Sequence, residues 1–490
     1  MASAYETVIG LEVHAQLLTR SKLFCGCSTE FGAAPNTHVC QVCLGLPGSL
    51  PRLNGRAVEL AMRAALALGC QVRERSVFAR KNYFYPDLAK NYQISQYELP
   101  LNERGALRIE VDGQERNVGI TRIHLEEDAA KNLHGAGGGQ VTVVDYNRAG
   151  TALMEIVSDP DLRSAEEAEE YLKRLREILL YVGVNDGNLE EGSFRCDANV
   201  SIRPRGETKF GTRVELKNIN SFRFVRKAID FEVARQTALV SGGGKVVQET
   251  RTWNDNQGKT LTMRSKEDAM DYRYFPDPDL LDVLVPAAQI EAARAQLPEL
   301  PEAKRSRYVS ELGLTAADAQ VLTQHPEVAR FFEALVAELC RVEPKKQASW
   351  GKRAANFVQA ELLRSAKFDG LQADLGVTPE RVAELLLLVE DSTISGKQAK
   401  SVLADMLASG KSPTKLVKEQ GLSQVSDSSA IEAAARAVLA KNKDNVQAYR
   451  AGKTNVLGFF VGQVMKAMQG AGNPKLVNET IQRLLAEVES

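Results

Sequence analysis

Hydrophobic periodicity changes once along this 490-residue chain, near residue 295. Before that point apolar residues recur at alternate positions. After it they recur every three to four, in runs rich in alanine, leucine, lysine and glutamate. Alternation fits strands with one buried face, and the longer period fits helices with one buried stripe. A sheet-bearing body therefore has to precede a helical remainder. In "TVIGLEVHAQL", Ile9, Leu11, Val13, Ala15 and Leu17 face one way, and Glu12, His14 and Gln16 the other. "SFRCDANVSIR" sets Phe194, Cys196, Ala198, Val200 and Ile202 against Arg195, Asp197, Asn199, Ser201 and Arg203. "TRVELKN" sets Val214 and Leu216 against Arg213, Glu215 and Lys217. Half-buried antiparallel strands with ionisable groups on the open face are expected.

Two helices stand out inside the body. "SAEEAEEYLKRLREILLYVG" has a capping-box pair in Ser164 and Glu167, a stripe of Leu172, Leu175, Leu179 and Val182, and Gly183 as its stop. A second is expected to start after Ser221 and end at Gly242–Gly244. Pro298 and Pro301 punctuate the change of period, and "LASGKSPTK" (Leu407–Lys415) marks a weaker break. The expected fold class is α+β: an antiparallel-sheet body over 1–295, a helical domain over 296–408 and a helical tail over 409–490.

Charge and composition exclude some classes. Net charge is −1, so any nucleic-acid contact has to come from local patches. The N-terminus has neither a basic start nor a long apolar run, and nothing approaches the ~20 apolar residues of a membrane helix. Seven cysteines, four of them clustered, suit a reducing cytoplasm and a metal clip better than a disulfide framework.

Those four are Cys25 and Cys27, then Cys40 and Cys43, two close pairs separated by a short loop. Four thiolates close a tetrahedral zinc site with no open position for substrate, which is a structural pattern. His38 is an alternative ligand to one sulfur. Cys70, Cys196 and Cys340 are isolated and read as small hydrophobes.

Catalytic chemistry then has to lie among the carboxylates. Glu12 and His14 share a strand face. "RIHLEEDAAKN" adds His124, Glu126, Glu127 and Asp128, "TALMEIVSDPD" adds Glu155, "NLEEGSFRCDANVS" adds Asp197, and "GTRVELKNINS" adds Glu215. Acids on one sheet face repel each other unless a cation intervenes. Mg²⁺ takes oxygen ligands and leaves room for phosphate oxygens. Lys81, Lys90, Arg148, Arg195, Arg213 and Lys217 lie nearby in sequence, a mix suited to Mg²⁺ and a polyanion such as ATP. Period two alone does not separate that reading from an RNA-backbone surface. "NDNQGKT" and "YRAGKT" end like a Walker A loop, but Trp253 and Gln447 stand where its first glycine belongs. "HGAGGGQ" has Gln140 in place of the last glycine of G-x-G-x-x-G and reads as a turn. Any ATP site here has no P-loop.

Nine stretches resemble one known family: "IGLEVHAQL", the cysteine knuckle with "CLGLPGSLPRLN", "KNYFYPDLAKNYQISQY", "RIHLEEDAAK", "DYNRAGTALMEIVSDPD", "EEGSFRCDANVS", "VELKNINSF", "TMRSKEDAMDYRYFPDPDL" and "GKTNVLGFFVGQVMKAMQGAGNPKLVNETI". The family is the B subunit of tRNA-dependent amidotransferases (GatB), and the resemblance covers essentially the whole chain. It implies a body similar to the glutamine synthetase core. It implies ATP-dependent activation of the side-chain carboxylate of glutamate or aspartate already esterified to tRNA(Gln) or tRNA(Asn), followed by amidation. Ammonia comes from an amidase (glutaminase) partner, the A subunit, while a small third partner, the C subunit, completes the complex. No membrane role is implied.

Carried onto this chain, the resemblance makes Glu12, His14, Glu127 and Glu215 magnesium-site residues, with Glu126, Glu155 and Asp197 as further catalytic groups. It makes Lys81, Lys90, Arg148 and Arg213 the ATP or substrate contacts, Cys25, Cys27, Cys40 and Cys43 a structural zinc site, and the tail a grip on the tRNA body. In that tail Leu457, Val461, Val464, Met465 and Met468 form a stripe that reads as core. Lys441, Lys443, Arg450, Lys453, Lys466 and Lys475 are the candidate phosphate contacts. Two rival readings are a tRNA adaptor without catalysis and a zinc hydrolase. An adaptor is expected to carry cations where this chain carries acids.

Overall fold

A computed structural model describes residues 4–135, 141–265, 272–422, 428–468 and 472–487. They form two compact units, one running to Lys304 and including Asp369–Gln372, the other holding Arg305–Phe368 and the chain from Ala373 onward. The turn expected at "HGAGGGQ" and the middle of "TMRSKEDAMDYRYFPDPDL" fall on residues 136–140 and 266–271, outside the described ones.

Two sheets shape the first unit. Their strands are β1 (Tyr5–Gln16), β2 (Gln71–Val72), β3 (Ala79–Asn82), β4 (Tyr92–Ser95), β5 (Asn102–Val111), β6 (Gln114–Glu127), β7 (Ala152–Ser158), β8 (Phe194–Pro204), β9 (Val214–Ile219), β10 (Glu249–Asn254), β11 (Lys259–Ser265) and β12 (Phe275–Pro276). The large sheet has nine strands in the order β11-β10-β9-β8-β1-β7-β6-β5-β2, and the small one runs β12-β3-β4. Alternation holds where it was expected: Ile9, Leu11, Val13, Ala15, Phe194, Cys196, Ala198, Val200, Val214 and Leu216 are all buried. They pack with helices α1 (Gly55–Ala67), α2 (Ala165–Tyr181) and α3 (Phe222–Ser241) in one core. The helices thus cover one sheet face and leave the other to the polar residues.

Two details differ from expectation. The sheet is mixed, since β9 and β10 run parallel. The whole of α3 lies between them, and a crossover of that length returns the chain in the same direction. At the start of α2, Ser164 accepts the Glu167 amide as expected, but the Glu167 carboxylate accepts from the Arg163 amide at 2.7 Å instead of closing the box on Ser164. Gly183 takes φ +65° just past the helix, the left-handed stop that glycine adopts without strain. The GKT sequence after Trp253 closes the hairpin joining β10 to β11: Gly258 ends the turn, and Lys259 and Thr260 begin β11.

In the second unit, helices Pro301–Leu312, Pro326–Val342, Gln347–Phe357, Pro379–Glu390 and Gly396–Ser409 surround a core that includes Phe332, Leu335, Leu339, Trp350, Val382 and Leu403. Leu416 and Val417 of the helix Pro413–Glu419 belong to this same core. A two-stranded hairpin, Lys367–Asp369 with Gln372–Asp374, interrupts the helices in sequence, its residues Asp369–Gln372 belonging to the first unit. Residues after 427 have their own core of Ile431, Ala435, Phe460, Val464, Val477 and Ile481, and Leu457, Val461, Met465 and Met468 pack against it. No helix among the described residues is long and apolar enough to cross a membrane.

Candidate active site

The open face of the large sheet is built by register. His14 on β1 lies opposite Glu155 on β7, which lies opposite His124 on β6. Across the other edge of β1, Glu12 faces Asp197 on β8, and Asn199 faces Glu215 on β9. Paired residues of antiparallel strands share a sheet face. Five consecutive strands therefore deliver their polar side chains to one floor.

At its centre His14 Nε2 lies 3.4 Å from Glu155 and 3.7 Å from Glu126, and His124 Nε2 lies 3.5 Å from Glu155 and 3.7 Å from Glu126. His124, Glu126 and Glu155 are buried. A cavity of about 470 Å³ opens over them, lined also by Glu12, Lys81, Gln96, Tyr97, Asn199, Arg213, Glu215, Lys217, Thr250, Tyr272 and Tyr274. A second, of about 720 Å³, shares His14, Lys81, Glu126 and Lys217 with the first and adds Asp128, Arg195 and Asp197. The two chambers meet along that charged ridge.

Electrostatics hold the floor ionised. Burial disfavours charge on His14, but contact with Glu155 and the charge of Glu126 outweigh it and raise its pKa to about 9. Burial and mutual repulsion push Glu126 up, yet His124, Lys81 and His14 bring it below its usual range. Glu155 is lowered in the same way, its burial overcome by the two histidines and Lys81. Lys81 stays protonated: its burial is more than offset by Glu126 and Glu155. Glu12 moves the other way, raised by burial and by Glu155 despite Lys217 and the 2.8 Å hydrogen bond that Asn199 donates. Lys217 bridges Asp197 at 2.5 Å and Glu215 at 3.1 Å, and Thr250 donates to Glu215 at 2.8 Å.

The ligand atoms of His14, Glu126 and Glu155 lie within 4.8 Å of one another. Two carboxylates beside imidazole suit one divalent ion. The oxygens favour Mg²⁺, and the nitrogens admit first-row transition ions as well.

Not every expected residue joins this floor. Glu127 follows Glu126 on β6, so alternation sends it to the opposite face. There it accepts from Lys90 Nζ at 2.6 Å and from the Ile94 amide at 3.1 Å. The structure does not bring Glu127 or Lys90, expected as a magnesium ligand and a phosphate contact, to the floor; neither lines either chamber. Arg148 lines neither chamber; it donates to the carbonyls of Ala129 at 2.8 Å and Ala130 at 2.9 Å and stands 3.7 Å from Asp128, which lines the second chamber. Glu12, His14, Lys81, Glu126, Glu155, Asp197, Arg213 and Glu215 do line the chambers. Lining residues to which the resemblance gave no role are His124, Gln96, Asn199, Lys217 and the tyrosines, although His124 and Lys217 stood among the sequence candidates. His124 was within reach of the alternation, two positions before Glu126. Tyr272 and Tyr274 were not: they arrive because the β12 segment pairs with β3, far back in sequence. Tyr274 stacks on Tyr97 at 4.2 Å, and Lys81 lies 4.9 Å from the Tyr272 ring.

Cys25, Cys27, Cys40 and Cys43 converge with all four sulfurs within 4.8 Å of one another. Cys40 and Cys43 sulfurs stand 3.9 Å apart, close to the ~3.8 Å tetrahedral edge implied by Zn–S bonds of about 2.3 Å. His38 is not in the group. The hydrogen bond from Cys25 holds the Cys43 thiol well below the usual thiol range. The knuckle leans on Lys90: Gly45, at φ +65°, has no room for a Cβ, which would lie 2.4 Å from Lys90 Cγ.

In the tail, Lys441, Lys443, Lys453, Lys466 and Lys475 are all exposed, and none forms an ion pair among the described residues. The Arg450 side chain is outside the described ones.

With this geometry in view, comparison with known proteins is direct. Residues 7–291 match the family described as the GatB/GatE catalytic domain, and residues 331–485 match the one described as the GatB domain. Similar proteins include the aspartyl/glutamyl-tRNA(Asn/Gln) amidotransferase B subunit of Geotalea uraniireducens (strain Rf4), 56% identical over 484 residues, covering 98% of this chain and 99% of the relative. The proteins of the same name from Solidesulfovibrio magneticus and Myxococcus xanthus are 55% and 54% identical, covering 98% and 99% of this chain and 99% of each relative.

Proposed function

The chain belongs to the GatB family of aspartyl/glutamyl-tRNA(Asn/Gln) amidotransferase B subunits, and from that premise we propose how its sheet floor carries out the reaction. It is one subunit of a multi-subunit, tRNA-dependent ligase. The substrates are ATP and the side-chain carboxylate of Glu-tRNA(Gln), Asp-tRNA(Asn) or both. A carboxylate is a poor electrophile because oxide is a poor leaving group. Transfer of the ATP γ-phosphoryl group to a carboxylate oxygen makes phosphate the leaving group. Ammonia then adds its lone pair to the carbonyl carbon, phosphate departs and a proton is lost.

His14, Glu126 and Glu155 are the residues that would hold Mg²⁺, with Glu12 and Glu215 beside them. Magnesium, when bound, neutralises phosphate oxygens and the incoming carboxylate together. Lys81, Lys217 and Arg213 face the same chamber and bind anionic oxygens, and the ridge of His14, Lys81, Glu126 and Lys217 joins it to a second chamber. Two adjoining chambers accommodate two substrates, one for the nucleotide and one for the aminoacyl end. Cys25, Cys27, Cys40 and Cys43 would hold a structural zinc ion. The amidase partner supplies the ammonia and the small third partner completes the assembly. The sheet body resembles the glutamine synthetase core, and the chain divides into body, helical middle and tRNA-binding tail.

The observation that carries this reading is the pair of buried acids, Glu126 and Glu155, meeting two histidines on one floor. A tRNA adaptor has no use for acids where RNA phosphates would lie. In the reconstituted complex supplied with ATP, Mg²⁺, ammonium and misacylated tRNA, Glu126→Gln is expected to lower amidation by about 100-fold or more, a loss of about 2.7 kcal/mol in transition-state stabilisation, and to leave tRNA binding intact. Wild-type turnover by that variant removes the assignment.

A further inference from the structure

Behind the cysteine knuckle sits a buried lysine that forms no ion pair among the described residues; the nearest carboxylate across Gly150, Glu127, is paired with Lys90. Lys22 is fully buried. Its ammonium donates to the Tyr146 carbonyl at 3.2 Å and to Cys43 Sγ at 3.6 Å, and it forms no ion pair among the described residues. Its stem is closed in by Gly150, where a Cβ would lie 3.6 Å from both Lys22 Cδ and Cys43 Cβ. An ammonium removed from water needs an anion or several acceptors to remain charged. One carbonyl is not enough, and the other neighbour is a metal-ligating sulfur. Four thiolates around a dication leave a net charge of −2. The buried cation and the anionic centre therefore answer each other's need.

We propose that Lys22 is the built-in counter-charge of this metal centre, reducing its net charge to −1 through an N–H···S bond to Cys43 and thereby raising its affinity for zinc. The inference rests on the knuckle being a metal site. It extends that reading to a residue outside the ligand set, since hydrogen-bonding partners of ligands tune metal affinity by 10- to 100-fold.

The test uses the full-length chain and measures zinc affinity by competition with a chromophoric chelator for wild type, K22M, K22Q and K22R. Wild type is expected to bind one zinc per chain. The neutral variants are expected to bind at least about 10-fold more weakly, and K22R, which keeps the charge, to bind more tightly than either. In cobalt-substituted protein, K22M is expected to move the thiolate-to-cobalt charge-transfer band to lower energy, because the thiolate loses a hydrogen bond; simple loosening of the fold does not shift that band in one direction. Wild-type affinity in K22M, or K22R no better than the neutral pair, overturns the role of Lys22. A wild-type chain that takes up no zinc instead overturns the metal reading on which it stands.

Discussion

Glu12 shows how the site trades stability for charge. Burial and the neighbouring Glu155 raise its pKa above the ordinary 4.5. An acid whose pKa is higher folded than unfolded costs stability once the pH rises past its unfolded value, because the unfolded chain ionises more readily. Below that value both states are protonated and the cost vanishes. Glu12→Gln keeps an oxygen to accept from Asn199 and removes the charge. In metal-free protein at pH 7 the variant is expected to melt higher than wild type, by about 2–4 °C for each kcal/mol relieved. The gain should disappear well below pH 4.5, while amidation falls at neutral pH. A lower melting temperature at pH 7 means that the repulsion is already compensated. Alternation placed the same residue on the open face, and the resemblance gave it a role there. Alternation also separates Glu126 from Glu127, and the GatB motif, read as a string, blurred them. A contiguous motif names residues without saying which sheet face each one takes.

Elements were legible where local pattern and burial agree. β1, β8 and β9 carried their alternation, α2 its stripe and stop, and α3 its start and end signals, in their own residues. The parallel β9–β10 pair and the seating of β12 against β3 were not, because strand pairing across long sequence separations is decided by packing and leaves no local signature. The cysteine knuckle lies between these cases. Its four clustered cysteines were plain in the sequence, but its contact with Lys90 depends on the turn at Gly45. Alanine there has to adopt φ +65°, which costs about 1–2 kcal/mol for a non-glycine residue, and its Cβ has to displace Lys90 from beside Glu127. Gly45→Ala is expected to lower the melting temperature by several degrees and to increase labelling of Lys90 by a lysine-directed reagent. Unchanged labelling means that Lys90 is positioned by Glu127 alone.

On the scale of the whole chain, net charge is −1 while the tail presents Lys441, Lys443, Lys453, Lys466 and Lys475 to solvent without ion-pair partners among the described residues. Such lysines cost nothing to turn toward a polyanion, whereas paired ones first have to break an ion pair. The tail's own core, Ile431, Phe460, Val464, Val477 and Ile481, holds the helices that carry four of these lysines, with Lys453 in the loop between two of them, and uses none of the five. Charge can therefore be changed there without touching either the core or the sheet floor. Replacing Lys441, Lys443 and Lys453 together by Glu is expected to raise KM for misacylated tRNA by 10-fold or more at moderate salt. It should leave the melting temperature within about 2 °C and kcat at saturating tRNA near wild type, because the chemistry lies in the first unit. Every lysine–phosphate interaction removed should also flatten the dependence of log K on log salt by about 0.7–0.9. A KM that stays at the wild-type value across the salt series means that these lysines are an ordinary solvated surface and that tRNA is gripped elsewhere. A fall in kcat with KM unchanged means that the tail acts on the chemistry through the assembled complex.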